Sequence, residues 1–162
     1  MSATTAIKFE NVDVVFGPTP RQALAMLDKG EGRDSVQEKT GNLVAVHDAS
    51  LFVNEGEILV LMGLSGSGKS SLLRCVNGLN TVTRGKVIVH DGTADVDVAS
   101  CDADTLRRLR QNRISMVFQQ FALMPWRTVT ENVGFGLEVR GVSEAEVSDG
   151  SPDLCVKNTC FI

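Results

Sequence analysis

One stretch of the chain has the residue types and the spacing of a phosphate-binding loop. Residues 63–70 read Gly-Leu-Ser-Gly-Ser-Gly-Lys-Ser and match the pattern G-x-x-x-x-G-K-[ST] at every specified position. Glycines at these positions let the backbone turn its N–H groups inward around an anion, and a helix that starts there adds further N–H groups. The pattern therefore predicts a polyphosphate site, and the alternative is a glycine-rich turn that binds nothing.

The side chains that end this loop predict how the polyphosphate is held. We expect Lys69 to reach the β- and γ-phosphates as a point charge and the Ser70 hydroxyl to coordinate Mg²⁺. Ser71 would supply another donor beside them. The predicted nucleotide-contacting residues of the loop are Gly63, Leu64, Ser65, Gly66, Ser67, Gly68, Lys69, Ser70 and Ser71.

The segments on either side of the loop have the patterns of the elements that must position it. Residues 58–62 are continuously apolar, which is typical of a parallel strand covered on both faces. After the loop, Leu72, Leu73 and Val76 recur at helical spacing, and Gly78 is a plausible helix end. The order strand, loop, helix favours a phosphate site over a simple turn.

The rest of the chain alternates short strands and helices. A mostly apolar run at residues 114–118 predicts a strand that ends at Gln119, at the edge where open α/β sheets bind ligands. Residues 31–41 indicate a connection with at most one helical turn. Further strands are predicted at 7–16, 43–46, 49–53 and 86–90, and helices at 20–30, 102–112 and, capped by Thr130, 130–140.

Composition excludes several classes of protein. The 162 residues are 43% hydrophobic and 22% charged, as in soluble globular domains. A net charge of -4 argues against a general binder of nucleic acid or membrane surfaces, because phosphate repulsion would not be offset. No segment has the apolar length of a signal peptide or a membrane span, so we expect a cytoplasmic chain without direct membrane insertion.

The cysteines, histidines and clustered arginines indicate no separate site. The four cysteines lack C-x-x-C spacing, which predicts reduced thiols and no zinc site. His47 and His90 are interpreted as structural or surface residues. The arginines are interpreted as a solvated helix face rather than a nucleic-acid site: Arg107, Arg108, Arg110 and Arg113.

Three segments together resemble the first half of an ABC transporter nucleotide-binding subunit. They are the phosphate loop with its neighbours (62–71), the segment Met-Val-Phe-Gln-Gln-Phe-Ala-Leu-Met-Pro-Trp (116–126) and Thr-Val-Thr-Glu-Asn-Val (128–133). Within that superfamily, residues 21–30 and 39–41 resemble the importers of glycine betaine, proline and choline. Residues 89–92 with 98–102 lean toward the choline branch.

The resemblance implies a fold and several roles. The fold would be an α/β P-loop NTPase core, with an antiparallel β subdomain in its N-terminal half and an incomplete sheet. Phe16 matches the aromatic that stacks on adenine, and the alternative is a core aromatic at a strand end. Gln119 matches the Q-loop glutamine, which contacts Mg²⁺ and the attacking water and senses the permease, whereas a plain surface glutamine is the alternative.

The same resemblance implies partners. ATP with Mg²⁺ would be the cofactor, and residues 121–126 would lie near a transmembrane permease, if they do not simply pack within the fold. A second ATP-binding subunit would close the nucleotide site. The assembled chain would then be peripheral at the inner face of the plasma membrane.

The chain departs from the family pattern in its second half. Residues 1–146 correspond to the Walker A and Q-loop part, and 147–162 are expected to be an aberrant, out-of-frame tail, with a natural short ending as the alternative. The signature motif, the Walker B carboxylates and the switch histidine are missing, so no catalytic residue is assigned and the chain alone is expected neither to hydrolyse ATP nor to unfold cooperatively. The function expected is an ATP-binding fragment of an importer subunit; a non-enzymatic nucleotide-binding or interaction module, or a non-functional product, is the alternative.

Overall fold

The structure is a computed structural model that describes residues 4–119 and 123–142. The chain divides into two compact units, Met1–Leu106 and Arg107–Ile162. The elements in chain order are β1 (Thr5–Phe16), α1 (Pro20–Leu27), α2 (Arg33–Thr40), β2 (Leu43–Asn54), α3 (Lys69–Val76), β3 (Arg84–His90), β4 (Asp95–Asp97), α4 (Ala103–Asn112) and α5 (Val129–Val139).

The first unit is built on a four-stranded sheet in the order β2-β1-β3-β4, in which all neighbours are antiparallel. β1 is a central strand, since Val12 pairs with Ala49 of β2 and Ile7 pairs with Val89 of β3. Val12, Asp13, Val14 and Val15 are buried without a break, so this part of β1 is covered on both faces. The predicted antiparallel β subdomain is confirmed, and the short strand β4 was not predicted.

Helices α1 and α2 cover one end of this sheet. Their apolar side chains form a buried cluster with β1 and β2. Burying apolar side chains of this size contributes about 1.5–3 kcal/mol each, so the cluster fixes the helical pair on the strands. The cluster consists of Val15, Ala23, Leu24, Leu27, Val36 and Val44.

Two predictions for this region are wrong in detail. β2 is one continuous strand rather than two, because the irregularity at Asp48 (φ 49°) faces a matching one at Asn11 (φ 46°) on β1. The Asn11 side chain donates to Asp48 Oδ1 at 2.9 Å, and this bond holds the two bulges together. α2 has eight residues instead of at most one turn, since the fully buried Val36 anchors it to the cluster.

The apolar runs 58–62 and 114–118 are not strands in the structure, contrary to prediction. Ile58, Val60 and Met62 are largely exposed, and so is Val117. A strand is stabilised by hydrogen-bonded neighbours, and neither run belongs to the four-stranded sheet that the described residues form. The predicted incomplete sheet is thus seen as two apolar segments that lie outside this sheet within residues 4–119 and 123–142.

The remaining helices begin at polar caps. The Asp102 carboxylate caps α4 by accepting from the Thr105 N–H at 2.9 Å. α5 is capped by Thr128 rather than by the predicted Thr130, because Thr128 forms a reciprocal capping box with Glu131.

Two further predictions were made about segments of the chain. None of the described helices is long and apolar enough to cross a membrane. The predicted boundary at residues 146 and 147 lies outside the described residues.

Candidate functional site

The predicted phosphate loop is an exposed connection that ends in helix α3. Residues 57–64 have no regular secondary structure, residues 65 and 66 form a turn, and the helix begins at Lys69. Leu72, Cys75 and Val76 are buried and attach the helix to the unit. Burial raises the pKa of the Cys75 thiol to about 11, so this residue stays an apolar core group at neutral pH.

Gly68 fixes the position of the loop against the sheet. It has a left-handed conformation (φ +91°), and a Cβ atom built on it would lie 2.1 Å from the Ala45 carbonyl oxygen of β2. Only glycine permits this conformation together with so close an approach of two backbones. The glycine of the G-K-[ST] pattern therefore has a packing function besides its role in the turn.

The Lys69 ammonium lies inside the curve of the loop. It donates to the carbonyl oxygens of Gly63 at 2.9 Å and Leu64 at 2.7 Å, and to the Ser67 hydroxyl at 3.1 Å. Those acceptors are on the exposed surface of the loop. The positive charge is thus held where a phosphate oxygen could replace these acceptors.

Ser70 and Ser71 follow at the start of α3. Ser70 is exposed and Ser71 is half-buried. The first N–H groups of a helix have no partner within it and carry the positive end of its dipole. The positive helix end, the glycine turns and Lys69 form a donor set that suits an anionic polyphosphate, and a hydroxyl at Ser70 suits a hard cation such as Mg²⁺.

Phe16 ends β1 and pairs with Leu43 of β2, and the residue is 40% exposed. Leu43 is two residues from Ala45, which places it about 7 Å along the strand from the residue that Gly68 contacts. Phe16 and the end of the phosphate loop are therefore both positioned by the first residues of β2.

Gln119 lies in the second unit and is exposed. It does not end a strand, because residues 114–118 are not one. Of the predicted permease-facing segment 121–126, residues 121 and 122 lie outside the described part, and Trp126 is 78% exposed. Gln119 and the phosphate loop thus belong to different units of the chain.

A buried ionic cluster ties the first unit together and was missed in the sequence. The fully buried Asp13 carboxylate accepts from Arg84 Nε at 2.6 Å and from the Asp48 N–H at 3.0 Å, and it lies 2.7 Å from His47 Nδ1. Arg84 Nη1 also donates to both carboxylate oxygens of Asp28, the residue after α1, at 2.8 and 2.9 Å. Burial alone would raise the pKa of Asp13, but these hydrogen bonds hold it below the usual range.

The other predicted polar groups have structural roles. His47 belongs to the Asp13 cluster, and His90 Nδ1 lies 2.9 Å from Asp95 of β4. The arginines at 107, 108, 110 and 113 are exposed, as predicted for a solvated helix face. No group of three or more residues suited to holding a metal ion occurs within the described ranges.

Comparison with known proteins agrees with this geometry. A family model described as ABC transporter matches residues 46–158. The glycine betaine/proline betaine transport system ATP-binding protein ProV of Salmonella typhimurium is 47% identical over 143 residues, which are 87% of this chain and 35% of that protein. The glycine betaine transport ATP-binding protein OpuAA of Bacillus subtilis is 44% identical over 86% of this chain and 32% of that protein.

A solved structure gives the same assignment for the fold. The ATP-binding cassette MJ0796, described as a dimeric post-hydrolysis state bound to ADP and Pi, aligns with a TM-score of 0.66 and 29% identity, covering 88% of this chain and 53% of that one. This confirms the predicted α/β P-loop fold.

The chain matches only a part of each relative. This chain spans about a third of the curated relatives' length, 35% of the first and 32% of the second. The resemblance to ATP-binding subunits of quaternary-amine importers is confirmed by their names and identities. Because the family model matches residues 46–158, most of its length, the chain belongs to the ABC transporter family.

Proposed function

We propose that this chain binds ATP with Mg²⁺ as the ATP-binding part of an importer subunit for small quaternary amines such as glycine betaine. The observation that carries the proposal is the Lys69 ammonium, held at the centre of an exposed loop by three oxygens of that loop. A bound triphosphate would take over these contacts without moving the helix. Relatives named for glycine betaine transport support the substrate class.

Each residue of the site has a proposed role. Lys69 neutralises the β- and γ-phosphates, the backbone N–H groups of residues 66–71 donate hydrogen bonds to the phosphate oxygens, and Ser70 holds Mg²⁺. Phe16 stacks on adenine, since an aromatic ring exposed beside a phosphate site offers a face to a base. Mg²⁺-bound ATP supplies a transferable phosphoryl group, and Gln119 is proposed to contact the metal and the attacking water.

The proposed partners follow from the relatives. A membrane permease and a second ATP-binding subunit are proposed, supported by relatives named as parts of transport systems and by the dimeric cassette. In that assembly the chain would be cytoplasmic and peripheral at the inner face of the plasma membrane. Choline as substrate rests on residues 89–92 and 98–102 alone and stays a prediction, as does the out-of-frame tail at 147–162.

Calorimetric titration of the full chain with Mg-ATP tests the proposal. Lys69→Ala should weaken binding about 10- to 100-fold, because it removes charge-assisted hydrogen bonds to phosphate. Lys86→Ala is the matched control, since Lys86 is an exposed lysine of β3 outside the loop, and it should bind like the wild type. We also expect the wild-type dissociation constant for Mg-ATP to lie above the sub-micromolar range. Equal affinities for wild type and Lys69→Ala would contradict the assignment.

A further inference from the structure

Asn42 is a fully buried polar residue to which neither the sequence pattern nor the family resemblance assigns a role. It stands between the end of α2 and the start of β2, directly before Leu43, the strand partner of Phe16. A buried amide is retained only if its donors and acceptor are satisfied. The partners of Asn42 therefore indicate what it holds.

All the hydrogen bonds of the Asn42 side chain go to two short segments. Its Oδ1 accepts from the Thr19 N–H at 3.0 Å, and its Nδ2 donates to the Thr19 hydroxyl at 2.8 Å and to the Thr19 carbonyl at 3.3 Å. Nδ2 also donates to the Thr40 carbonyl at 3.3 Å. The amide thus joins the last residue of α2 to the residue that precedes α1.

Gly17 adds a close contact in the same place. A Cβ atom built on Gly17, which has φ +140°, would lie 2.3 Å from Asn42 Oδ1 and 2.9 Å from its Cα atom. The chain therefore passes directly over Asn42 at the residue after Phe16. Phe16 is held on one side by its pairing with Leu43 and on the other by a turn that is closed on Asn42.

We infer that Asn42 is a positioning residue for the nucleobase: it fixes the turn of residues 17–19 so that the Phe16 ring is presented to adenine. This inference rests on the proposed function. Because Asn42 bonds Thr19 before α1 and Thr40 at the end of α2, the two helices would help to position the part of the site that binds the base. The phosphate side, which Gly68 and Lys69 fix on β2 and α3, does not use these contacts.

The test measures two affinities for each variant of the full chain, one for Mg-ATP and one for inorganic tripolyphosphate with Mg²⁺. Tripolyphosphate engages the phosphate loop but has no base. Asn42→Ala and Phe16→Ala should each lower the affinity for ATP relative to tripolyphosphate, by up to about tenfold, the size of one base–aromatic stack. Thr19→Val, which removes only the hydroxyl that Asn42 bonds, should act in the same direction with a smaller change.

Asn132→Ala is the matched control. The Asn132 side chain also bonds several backbone groups, among them the Met124 N–H and the Thr128 carbonyl, but it lies in α5 of the second unit. Its ratio of the two affinities should equal that of the wild type. Retained tripolyphosphate binding in Asn42→Ala also shows that the loop of that variant is folded.

Each other outcome overturns the inference. If Asn42→Ala weakens the binding of ATP and of tripolyphosphate equally, Asn42 stabilises the fold as a whole and does not position the ring. If Phe16→Ala changes the ratio and Asn42→Ala and Thr19→Val do not, the turn does not position the ring. If Phe16→Ala leaves the ratio unchanged, the adenine role fails while phosphate binding stands. If the wild type binds neither ligand, the proposed function itself fails.

Discussion

Gly68→Ala is expected to abolish measurable ATP binding. The added Cβ atom would lie 2.1 Å from the Ala45 carbonyl oxygen and 3.2 Å from Val46 Cγ2, so the end of the loop and the start of α3 must move off β2. Neither neighbour is the flexible end of a long side chain, and the φ of +91° adds strain of about 1 kcal/mol or more for alanine. A displacement of this kind moves Lys69 and the first N–H groups of α3 together.

Gly56→Ala separates the steric clash from the backbone strain. Gly56 has a similar conformation (φ +75°) in the turn after β2, and a Cβ atom built there meets nothing within 4 Å. The Gly56→Ala variant should therefore have the backbone strain but still bind ATP. Isothermal titration with Mg-ATP should give wild-type affinity for Gly56→Ala and no detectable heat for Gly68→Ala. Wild-type affinity in Gly68→Ala would show that the contact with β2 does not hold the loop.

Asp13→Asn is expected to destabilise the first unit by about 2–3 kcal/mol, because it removes a fully buried charge that the Arg84 guanidinium, the Asp48 N–H and the His47 ring share. This expected loss of stability is smaller than for a fully buried ion pair, since the Arg84 side chain is 40% exposed and keeps its ion pair with Asp28. Protection of the β1 and β3 amides from hydrogen exchange measures the loss directly, and it does not require the whole chain to unfold in one step.

Asp95→Asn is the matched control for this substitution. Asp95 also pairs with a histidine, His90, at 2.9 Å, but its side chain is 70% exposed. Exposed pairs of this kind contribute at most about 1 kcal/mol. Equal losses of protection in the two variants would contradict the assignment of the Asp13 cluster as the tie between β1, β2 and β3.

The pH dependence follows from the same carboxylate. The pKa of Asp13 is lower in the folded chain than its ordinary value of 3.8, so the unfolded chain takes up the proton first as the pH falls. The stability that the Asp13 charge contributes is complete above the ordinary pKa of 3.8, and it is lost as the pH falls through the lower pKa of Asp13 in the folded chain. The difference in protection between wild type and Asp13→Asn should therefore narrow below about pH 4. A difference that stays constant to lower pH would mean that the charge is not its source.

The sequence was sufficient to predict elements whose signal is local. The phosphate loop and α3 follow from a motif of fixed spacing, and β1 follows from its apolar pattern. The runs 58–62 and 114–118 were predicted as strands from the same kind of pattern, but a strand also requires a neighbour, which a local pattern does not contain. Whether those two segments form strands therefore depends on tertiary pairing.

The residues that were missed act through contacts between distant segments. Asp13 meets His47 and Arg84 across separations of 34 and 71 residues, and Asn42 meets Thr19 across 23. An aspartate within a strand and an asparagine before one have no distinctive pattern. The one available signal was indirect: a polar residue at Asp13 interrupts an otherwise apolar run in β1, which is unusual unless the residue has partners.

Amide-resolved NMR of the full chain during titration with Mg-ATP tests whether residues 63–71 hold the nucleotide. We expect chemical-shift changes at the backbone N–H groups of residues 63–71 and at Phe16, and, with tripolyphosphate in place of ATP, changes in the loop without those at Phe16. Unchanged loop amides at saturating Mg-ATP, or changes located only outside the loop and Phe16, would contradict the assignment of this loop as the nucleotide site.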